Sequence, residues 1–561
     1  MRPSLAVLLL VIASPELYAQ ITLRVSLTPG GGQANDSSGL AALTPDGRYV
    51  CFGSYASNLV SGDSFGTWDV FVRDRLSGSL ECISVDASGA PAGSQPSNGV
   101  AITPDARFVV FDSPSSTLVT GDSNGFRDVF VRDRQTGVTE LVSVDSSGVQ
   151  GNEASEWSAI SADGRFVAFT SFASNLVTGD TNGFPDVFVR DRQTGTTSMI
   201  SVTPSGSAGN RDSVLPSISP DGRFVSFTSR STDLVAGGTS GFLPMVFLRD
   251  RQAGQTELVS VSTSGVQANF TCTAYARSLS DDGRYVVFTS YATNLVTGDT
   301  NGFLDVFLRD RTNHTTERVS VSSAGAQGND QSDLCAISGD GRFVAFGSRA
   351  SNLVAGDTNS MQDVFLRDRA NGTTERVSVD SSGNQGDGDS YASSVTPDGR
   401  FVGMTSWASN LVSGDTNGTG DSFVHDRDAT GAVSLCDPGV GGVIACPCGN
   451  PPGGPGIGCD NSSATGGAQL AASGVAYLAQ DSLVFHTELE KQGALSILLE
   501  CTALLPSGIA FGQGVRCGGG TLLRMYAKTA AGGSITAPES ADPTVSARSA
   551  QLGLALQPGA P

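Results

Sequence analysis

The sequence predicts an all-β protein, a seven-bladed β-propeller with four-stranded antiparallel blades followed by a small C-terminal β-sandwich-like domain. The first observation is an internal repeat. An aspartate in a turn recurs at intervals of 58 to 61 residues, at Asp46, Asp105, Asp163, Asp221, Asp282, Asp340 and Asp398. Seven copies at a near-constant period indicate a repeat architecture. The second observation is that the strands of each copy are apolar on both faces, so blades must pack radially against one another to bury them. A β-helix is the competing architecture, and the lack of a short coil period disfavours it.

Each repeat contains three clear strands and a weaker fourth. In the third copy, strand B is RFVAFTS at 165–171, strand C is DVFVR at 186–190, and strand D is TSMISV at 197–202. They are rich in β-branched and aromatic residues and are bounded by turn residues. Strand A is expected just before the turn, around 157–160. Because these strands run up and down, the A–B and C–D turns must share one face, and the B–C and D–A loops the other.

The two ends of the ring must be joined. The segment at 21–27, ITLRVSL, has the pattern of a D strand but precedes the first A strand. It is therefore predicted to pair with the C strand of repeat seven, near 422–425. Residues 432–436 are a rival for the same position, because repeat seven also has a D-like segment of its own.

The repeat resembles the TolB-type propeller repeat of bacterial envelope proteins. The matching turns are Pro-Asp-Gly-Arg at 45–48, 220–223 and 397–400, each followed by a B strand and then a C strand. The resemblance covers about residues 21–436. It implies a propeller that makes protein–protein contacts in the cell envelope. TolB-like domains usually have six blades, and the long Gly-Asp-Thr-Asn-Gly loop also departs from the family pattern.

Residues 1–19 have the features of a signal peptide, with Arg2, an apolar core and a Leu-Tyr-Ala cleavage site. The apolar run is too short to span a membrane, and no later stretch is long enough. The propeller is assigned to residues 20–436, and a Gly/Pro/Cys-rich linker to 437–465. Residues 466–561 are assigned to a small disulfide-stapled β domain that ends without a good closing strand, as a truncated domain would. The sequence at 446–450, CPCGN, with 514–517, resembles an uncharacterised C-terminal domain of secreted bacterial proteins. These features predict a secreted or periplasmic protein.

The net charge of the protein limits the range of binding partners. The formal net charge of −21 disfavours nucleic acids and anionic membranes, both of which require clustered Lys and Arg.

The ten cysteines fall into two groups. Cys51 and Cys82 lie on strands separated by a third strand, too far apart for a disulfide, and are predicted to stay reduced. The six cysteines at the end of the repeats and beyond are predicted to form disulfides, with zinc as the alternative. They are Cys436, Cys446, Cys448, Cys459, Cys501 and Cys517.

The B–C loops carry a candidate calcium motif, Asp-x-Asn-Gly-x-x-Asp. Alternating oxygen ligands with a glycine at the sharp turn are typical of calcium loops, although the first acidic ligand and the closing Glu are absent. The complete motif occurs in repeats two, three, five and seven, at Asp122/Asn124/Asp128, Asp180/Asn182/Asp186, Asp299/Asn301/Asp305 and Asp415/Asn417/Asp421. In repeat four the whole set is lost together. The competing interpretation is that Asp and Asn only cap the amides of these turns.

No catalytic motif is found in the sequence. The three histidines, His314, His425 and His486, have neither metal-ligand spacing nor a nucleophile motif nearby. The recurring Arg-Asp-Arg after strand C is interpreted as interblade salt bridging. We therefore expect a monomeric, non-catalytic scaffold that binds an envelope or extracellular protein or a glycan. The alternatives are a carbohydrate-active hydrolase or lyase that uses the acidic rim, and a calcium-dependent adhesin. An enzyme should show one asymmetric pocket with a perturbed carboxylate pair, and a scaffold a near-symmetric rim.

Overall fold

A computed structural model describes residues 20–428, apart from 64–65 and 92–96, and five further strands between 469 and 537. The predicted signal peptide and linker lie outside these residues. All regular elements in the described part are β-strands. None of the described residues forms a helix long and apolar enough to cross a membrane.

The propeller has seven four-stranded antiparallel blades, as predicted. The four strands of a blade are called A to D from the centre outwards. Blade 1 comprises β2 (Ser38–Leu43), β3 (Tyr49–Ser54), β4 (Asp69–Asp74) and β5 (Leu80–Cys82); blade 2 comprises β6 (Asn98–Ile102), β7 (Phe108–Ser113), β8 (Asp128–Asp133) and β9 (Val138–Leu141); blade 3 comprises β10 (Ser155–Ile160), β11 (Phe166–Ser171), β12 (Asp186–Asp191) and β13 (Thr196–Met199).

Blade 4 comprises β14 (Ser213–Ile218), β15 (Phe224–Ser229), β16 (Met245–Asp250) and β17 (Gln255–Leu258); blade 5 comprises β18 (Cys272–Thr273), β19 (Tyr285–Ser290), β20 (Asp305–Asp310) and β21 (Thr315–Arg318); blade 6 comprises β22 (Ser332–Ile337), β23 (Phe343–Ser348), β24 (Asp363–Asp368) and β25 (Thr373–Arg376). Blade 7 comprises β26 (Ser390–Val395), β27 (Phe401–Ser406), β28 (Asp421–Asp426) and, from the start of the chain, β1 (Ile21–Arg24).

The N-terminal strand closes the ring. β1 pairs antiparallel with β28, with Thr22 opposite His425 and Arg24 opposite Phe423. This confirms the prediction for residues 21–27; the rival segment, 432–436, lies outside the described residues. Because the N-terminal strand completes the last blade, strand pairing holds the two ends of the propeller together.

Each of the first six blades has a pair of stacked phenylalanines between strands B and C. In blade 3, Phe169 and Phe188 lie opposite each other, fully buried, with ring centroids 5.9 Å apart. In blade 7 the corresponding pair is Met404 and Phe423. Because strands B and C are buried on both faces, their apolar residues form clusters that each span neighbouring blades.

In six of the seven blades, the A–B turn carries a glycine that lets an aromatic ring of the neighbouring blade approach closely. In blade 3, Gly164 has a φ of +71°, and a Cβ there would lie 2.2 Å from Cδ2 of Phe108 in blade 2. A side chain at this position would therefore displace the aromatic ring on which the two blades meet. Blade 2 carries Ala106 at the same turn, with a φ of +57°.

Beyond the propeller, five strands are described by their backbone: β29 (Gln469–Ser473), β30 (Val484–Glu488), β31 (Leu495–Phe511), β32 (Gly514–Thr529) and β33 (Ile535–Ala537). β29, β30 and β33 form one sheet, and β31 pairs with β32. The side chains of the six cysteines from 436 onwards lie outside the described part, so their disulfides remain a prediction. Cys51 and Cys82 are free thiols, as expected, and so are Cys272 and Cys335.

Candidate functional site

The propeller has two different faces. In blade 3, Ser171 at the end of strand B lies opposite Asp186 at the start of strand C, and Phe166 lies opposite Asp191. The B–C and D–A loops therefore share one face, here called the loop face. The A–B and C–D turns share the other, here called the turn face. This arrangement is the one predicted from the strand order.

The predicted loop residues come together at the outer part of the loop face. In blade 3, Asp186 is fully buried and accepts hydrogen bonds from Ser201 Oγ (2.6 Å) and Asn182 Nδ2 (2.6 Å). Asn182 also donates to the carbonyl of Gly209 (2.9 Å), and its Oδ1 accepts from the amide of Phe184 (2.8 Å). The Asn182 side chain therefore caps its own turn and ties it to the next loop, as the capping interpretation expects.

The asparagines of the other three loops make the same contacts. Asn124 Nδ2 donates to Asp128 (2.8 Å) in blade 2, and Asn124 Oδ1 accepts from the amide of Phe126 (2.8 Å). Asn301 donates in the same way to Asp305 (3.0 Å) in blade 5, and Asn417 to Asp421 (3.2 Å) in blade 7. Their oxygens accept from the amides two residues further along the chain.

In this geometry the four asparagines are engaged as turn caps, and their predicted ligand role stays a prediction. A calcium loop requires the side-chain oxygen to converge with the carboxylates on one point. Here the side-chain nitrogen faces the carboxylate, and the oxygen is occupied by a turn amide. An N–H donor does not ligate a cation, so these side chains act in the structure as caps. They are Asn124, Asn182, Asn301 and Asn417.

The second carboxylate lies beside the first. Asp180 is 9% exposed and accepts from the backbone amide of Asn182. Burial raises the pKa of Asp180, and raises the pKa of Asp186 to about 7, with a smaller contribution from the charge of Asp180. The two buried carboxylates are thus close enough to repel each other, and the protonated form of each is favoured.

In three other blades, an arginine guanidinium lies between the two carboxylates of this pair and contacts both. In blade 5, Arg318 Nη1 lies 3.2 Å from Asp299 Oδ1 and 3.4 Å from Asp305 Oδ2. Arg376 takes the same position between Asp357 and Asp363 in blade 6, at 3.5 and 3.4 Å. In blade 7 the arginine is Arg24 from the closing strand, 3.6 Å from Asp415 and 3.2 Å from Asp421.

Blades 2 and 3 have the same carboxylates without that arginine. The residue at the arginine position is Leu141 in blade 2 and Met199 in blade 3. In blade 2, Gln150 Nε2 donates to Asp122 Oδ1 (2.7 Å) and to Asp128 Oδ2 (2.9 Å). In blade 3 the position of this glutamine is occupied by Ala208. The four loops that share the motif thus fall into two groups. In blades 5 and 7 an arginine pairs with the aspartates, and in blades 2 and 3 no arginine is present at that position.

Metal ligation by the aspartates is not decided by this geometry. Among the residues that the structure describes, no three or more His, Cys, Asp or Glu side chains lie close enough together to hold a metal ion. A site in these loops would therefore combine two carboxylates with backbone carbonyl oxygens and water, which Ca²⁺ accepts. Calcium binding in the four loops stays a prediction.

The turn face holds the Arg-Asp-Arg motif. In blade 3, Asp191 accepts two hydrogen bonds from Arg165, at 2.9 and 2.6 Å. Arg192 pairs with Glu140 of blade 2 (2.8 Å) and lies over the ring of Phe108 of blade 2, 4.7 Å from its centroid. These contacts confirm the interpretation of the motif as interblade salt bridging.

A cavity of about 570 Å³ lies at the centre of the ring and is lined by residues from all seven blades. Its wall is aromatic, with Tyr55, Trp68, Trp157, Tyr275 and Tyr391. Tyr55 and Trp68 meet edge to face, with centroids 4.8 Å apart. This volume lies within the range of small-molecule sites, which are concave, mostly apolar and carry a few polar groups.

Backbone irregularities direct side chains into the cavity. The register of β10 against β11 shifts after Glu156, and Trp157 has a φ of +53°. A bulge of this kind changes the direction of a side chain, and a non-glycine residue with positive φ is strained. Leu215 and Leu334 have φ values of +58° and +39° at bulges in the inner strands of blades 4 and 6. Both also line the cavity.

Blade 5 contributes the largest departure from symmetry. Its inner strand, β18, has only two residues, Cys272–Thr273. The chain from Cys272 to Ser280 is two residues longer than the matching Ser332 to Ser338 of blade 6. The extra residues place Tyr275 and Arg277 in the cavity wall. Arg277 Nη1 donates to the carbonyl of Ser393 in blade 7 (2.6 Å), and burial lowers the pKa of Arg277 to about 10.

Two carboxylates face the cavity in blades 2 and 3. Asp112 accepts from Arg127 Nη1 (2.5 Å), and burial raises the pKa of Asp112. Burial also raises the pKa of Glu156, and the charge of Asp112 adds to this shift. The pocket is therefore asymmetric, and two carboxylates with raised pKa values line it.

The cavity was missed by sequence reasoning, although a signal for it exists. At the position of Glu156, the inner strands of the other blades carry Gly39, Asn98, Val214, Thr273, Asp333 and Tyr391. The neighbouring B and C strands scarcely vary. A position that differs in every copy of an otherwise regular repeat indicates a surface that does not serve blade packing.

Comparison with known proteins adds similarity of fold at low sequence identity. No protein-family model matches the chain, and no curated protein does. Among solved structures, the chain is similar to an oligogalacturonate lyase in complex with manganese, with 14% identity and a TM-score of 0.42, covering 72% of this chain and 92% of that one. It is similar to TolB from Acinetobacter baumannii, with 16% identity and a TM-score of 0.32, covering 68% and 80%. It is also similar to the β-propeller domain of the Trilobed protease from Pyrococcus furiosus, with 10% identity and a TM-score of 0.39, covering 66% and 91%.

Proposed function

We propose that the chain is an exported, non-catalytic binding module whose central cavity takes up a saccharide portion of an extracellular or envelope glycan. The observation that carries this proposal is the aromatic wall of the 570 Å³ cavity together with two carboxylates in its lining, the buried Asp112 and the half-buried Glu156. Aromatic rings offer flat apolar surfaces for the C–H faces of a sugar ring. Carboxylate oxygens accept hydrogen bonds, and so match the hydroxyl groups of the same ring. The signal-like residues 1–19 support export.

The surroundings of the cavity favour a ligand that extends beyond its mouth. Large apolar side chains are exposed in the loops of the loop face. They include Tyr55, Phe126, Trp157, Phe172, Phe242, Phe270, Tyr291, Phe303 and Trp407, all at least 37% exposed. Exposed aromatic groups of this number mark interaction surfaces. A glycan chain with one residue in the cavity and others along this surface fits such a distribution.

The test is binding of defined oligosaccharides. Neutral, N-acetylated and uronate oligosaccharides of two to four units are titrated into the protein and followed by calorimetry and tryptophan fluorescence. The expected result is that one class binds and that Trp157→Ala weakens its binding at least about fivefold, because an aromatic contact contributes about 1 kcal/mol beyond its area. Phe303→Ala is the matched control, since this ring is equally exposed on the loop face but lies outside the cavity lining.

The outcomes separate clearly. Equal losses in Trp157→Ala and Phe303→Ala would place binding on the outer surface and not in the cavity. No binding by any of the three classes would refute the saccharide proposal.

The second candidate is a carbohydrate-active hydrolase or lyase. The specific observation in its favour is the pair Asp112 and Glu156, whose raised pKa values suit a proton donor. In this case the bound oligosaccharide is cleaved, and Glu156→Gln retains binding but loses turnover. A binding module leaves every oligosaccharide intact during prolonged incubation at pH 5 and pH 7.

A further inference from the structure

We infer that the acidic pairs of blades 2 and 3 bind a divalent cation with a preference for oxygen ligands, such as Ca²⁺, in the place that an arginine occupies in blades 5, 6 and 7. This inference concerns the outer part of the loop face and does not depend on the function of the central cavity. It also divides the four predicted calcium loops into two groups, because the loops of blades 5 and 7 already contain an arginine that pairs with the aspartates.

The first argument is the position of the arginines. Three guanidinium groups each lie within 3.6 Å of both carboxylates of a pair, at Arg24, Arg318 and Arg376. Each of these side chains is 10% exposed or less. The same pair of aspartates thus takes a buried cation in three blades of one molecule. Burying two carboxylates without such a partner is costly.

The second argument is an acceptor in blade 2 that has no partner. Asp122 is 8% exposed, and its Oδ2 is buried without a hydrogen-bond partner among the described residues. Asp122 and Asp128 each accept from the same nitrogen of Gln150, so the two carboxylates meet at one point. A buried carboxylate oxygen is expected to have a partner, and a cation that displaced the Gln150 amide from between the two aspartates would provide it.

The third argument is that blade 3 has the least compensation. Met199 and Ala208 replace the arginine and the glutamine, so neither donor is present. The ligands available to a cation are the carboxylates of Asp180 and Asp186 and the carbonyl of Gly209, which all contact the Asn182 turn. Water would complete the coordination, as is common for Ca²⁺.

The experiment exchanges the arginine between blades. Calcium bound per chain is measured by equilibrium dialysis against ⁴⁵Ca²⁺, and the melting temperature is recorded in 2 mM CaCl₂ and in EGTA. Met199→Arg should bind one Ca²⁺ fewer than the natural chain and should melt at a higher temperature in EGTA. Arg318→Met should show the opposite, with one additional Ca²⁺ and a lower melting temperature in EGTA. Ligand binding to the folded state alone accounts for the calcium-dependent gain.

Two further variants make the result decisive. Met199→Leu reproduces the natural residue of blade 2 and should keep the calcium stoichiometry unchanged. Asp180→Asn should also lose one Ca²⁺, and it covers the case in which Met199→Arg does not fold. The inference is overturned if the natural chain binds no Ca²⁺ and melts identically in both buffers. It is equally overturned if Met199→Arg and Asp180→Asn both keep the natural stoichiometry.

Discussion

The turn face and the loop face are made from the same seven repeats, yet the aspartates of the two faces differ in whether an arginine pairs with them. On the turn face, all seven aspartates of the Arg-Asp-Arg or His-Asp-Arg motif form an ion pair with the arginine of their own A–B turn, from Arg48–Asp74 to Arg400–Asp426. On the loop face, the equivalent acidic pairs have an arginine in three blades and none in blades 2 and 3.

The pKa values follow this division. On the turn face, hydrogen bonds from Arg107 lower the pKa of Asp133 to about 2. On the loop face, burial raises the pKa of Asp128 to about 6 in the same strand. One strand therefore has a stabilised charge at one end and a destabilised charge at the other. The comparison indicates that the turn face holds the blades together, whereas the loop face of blades 2 and 3 keeps carboxylates that have no arginine beside them.

The largest expected effect comes from filling the space of a turn-face glycine. Gly164→Ala should lower the free energy of unfolding by about 3 kcal/mol, because its Cβ would collide with Phe108 and the residue would keep a left-handed φ. Gly179→Ala is the matched variant on the loop face. Its φ is +99°, but no atom lies within 4 Å of the added Cβ. It should cost only about 1 kcal/mol.

Urea denaturation of both glycine variants measures the difference. Because both residues have positive φ, backbone strain is common to them and the difference reports the clash with the neighbouring blade. Equal losses would mean that the Phe108 ring moves aside without cost. Blade 2, which has Ala106 at the same turn, is a natural case of a Cβ at this position.

The second effect concerns arginines on the two faces. Arg192→Ala removes an ion pair with Glu140, a hydrogen bond to the carbonyl of Gly164 and a cation–π contact with Phe108. A loss of about 2–3 kcal/mol is expected. Arg211 on the loop face lies over the rings of Phe184 and Phe242, at 5.0 and 4.8 Å. Arg211→Ala should cost less than about 1 kcal/mol. If thermal unfolding gave the reverse order, the proposed division of labour between the faces would be wrong.

The smallest effect is a pH dependence at the position where blade 7 departs from the motif. His425 replaces an arginine there, is 1% exposed, and has its pKa lowered by burial from 6.5 to about 4. Thr22 Oγ1 donates to the carbonyl of Val379 (2.5 Å) and so accepts from Nδ1 of His425 (2.8 Å). Because the folded state holds this imidazole neutral, its stability contribution is present above pH 6.5 and is lost as the pH falls towards 4.

His425→Gln keeps a donor to Thr22 without a titrating group. At pH 5 the natural chain should therefore have lost about 1–2 kcal/mol relative to the variant, measured from the pH dependence of unfolding in both proteins. Subtracting the two curves removes the opposite contribution of the loop-face aspartates, which is common to both. Parallel curves between pH 7 and pH 4 would show that His425 is not held neutral by the fold.

The repeat sequence by itself determined the architecture of this protein. The spacing of the Asp-Gly-Arg turns set the number of blades, and the apolar B and C strands required radial packing. The D-like pattern at 21–27 identified the closing strand before any contact was known. These features are local or periodic, so they are visible along the chain. The turn residues and the free state of Cys51 followed from the same strand order.

Only the tertiary structure decided where a ligand could bind. The central cavity combines residues from all seven blades, such as Tyr55 and Tyr391, which lie 336 positions apart, and no periodicity predicts such a set. The C–D hairpin register also decided which carboxylates are neutralised. It places Arg318 beside Asp305, 13 residues earlier in the chain, and ring closure places Arg24 beside Asp421 from the opposite end. Charge compensation depends on distance in space, and the motif Asp-x-Asn-Gly-x-x-Asp does not contain the residue that provides it.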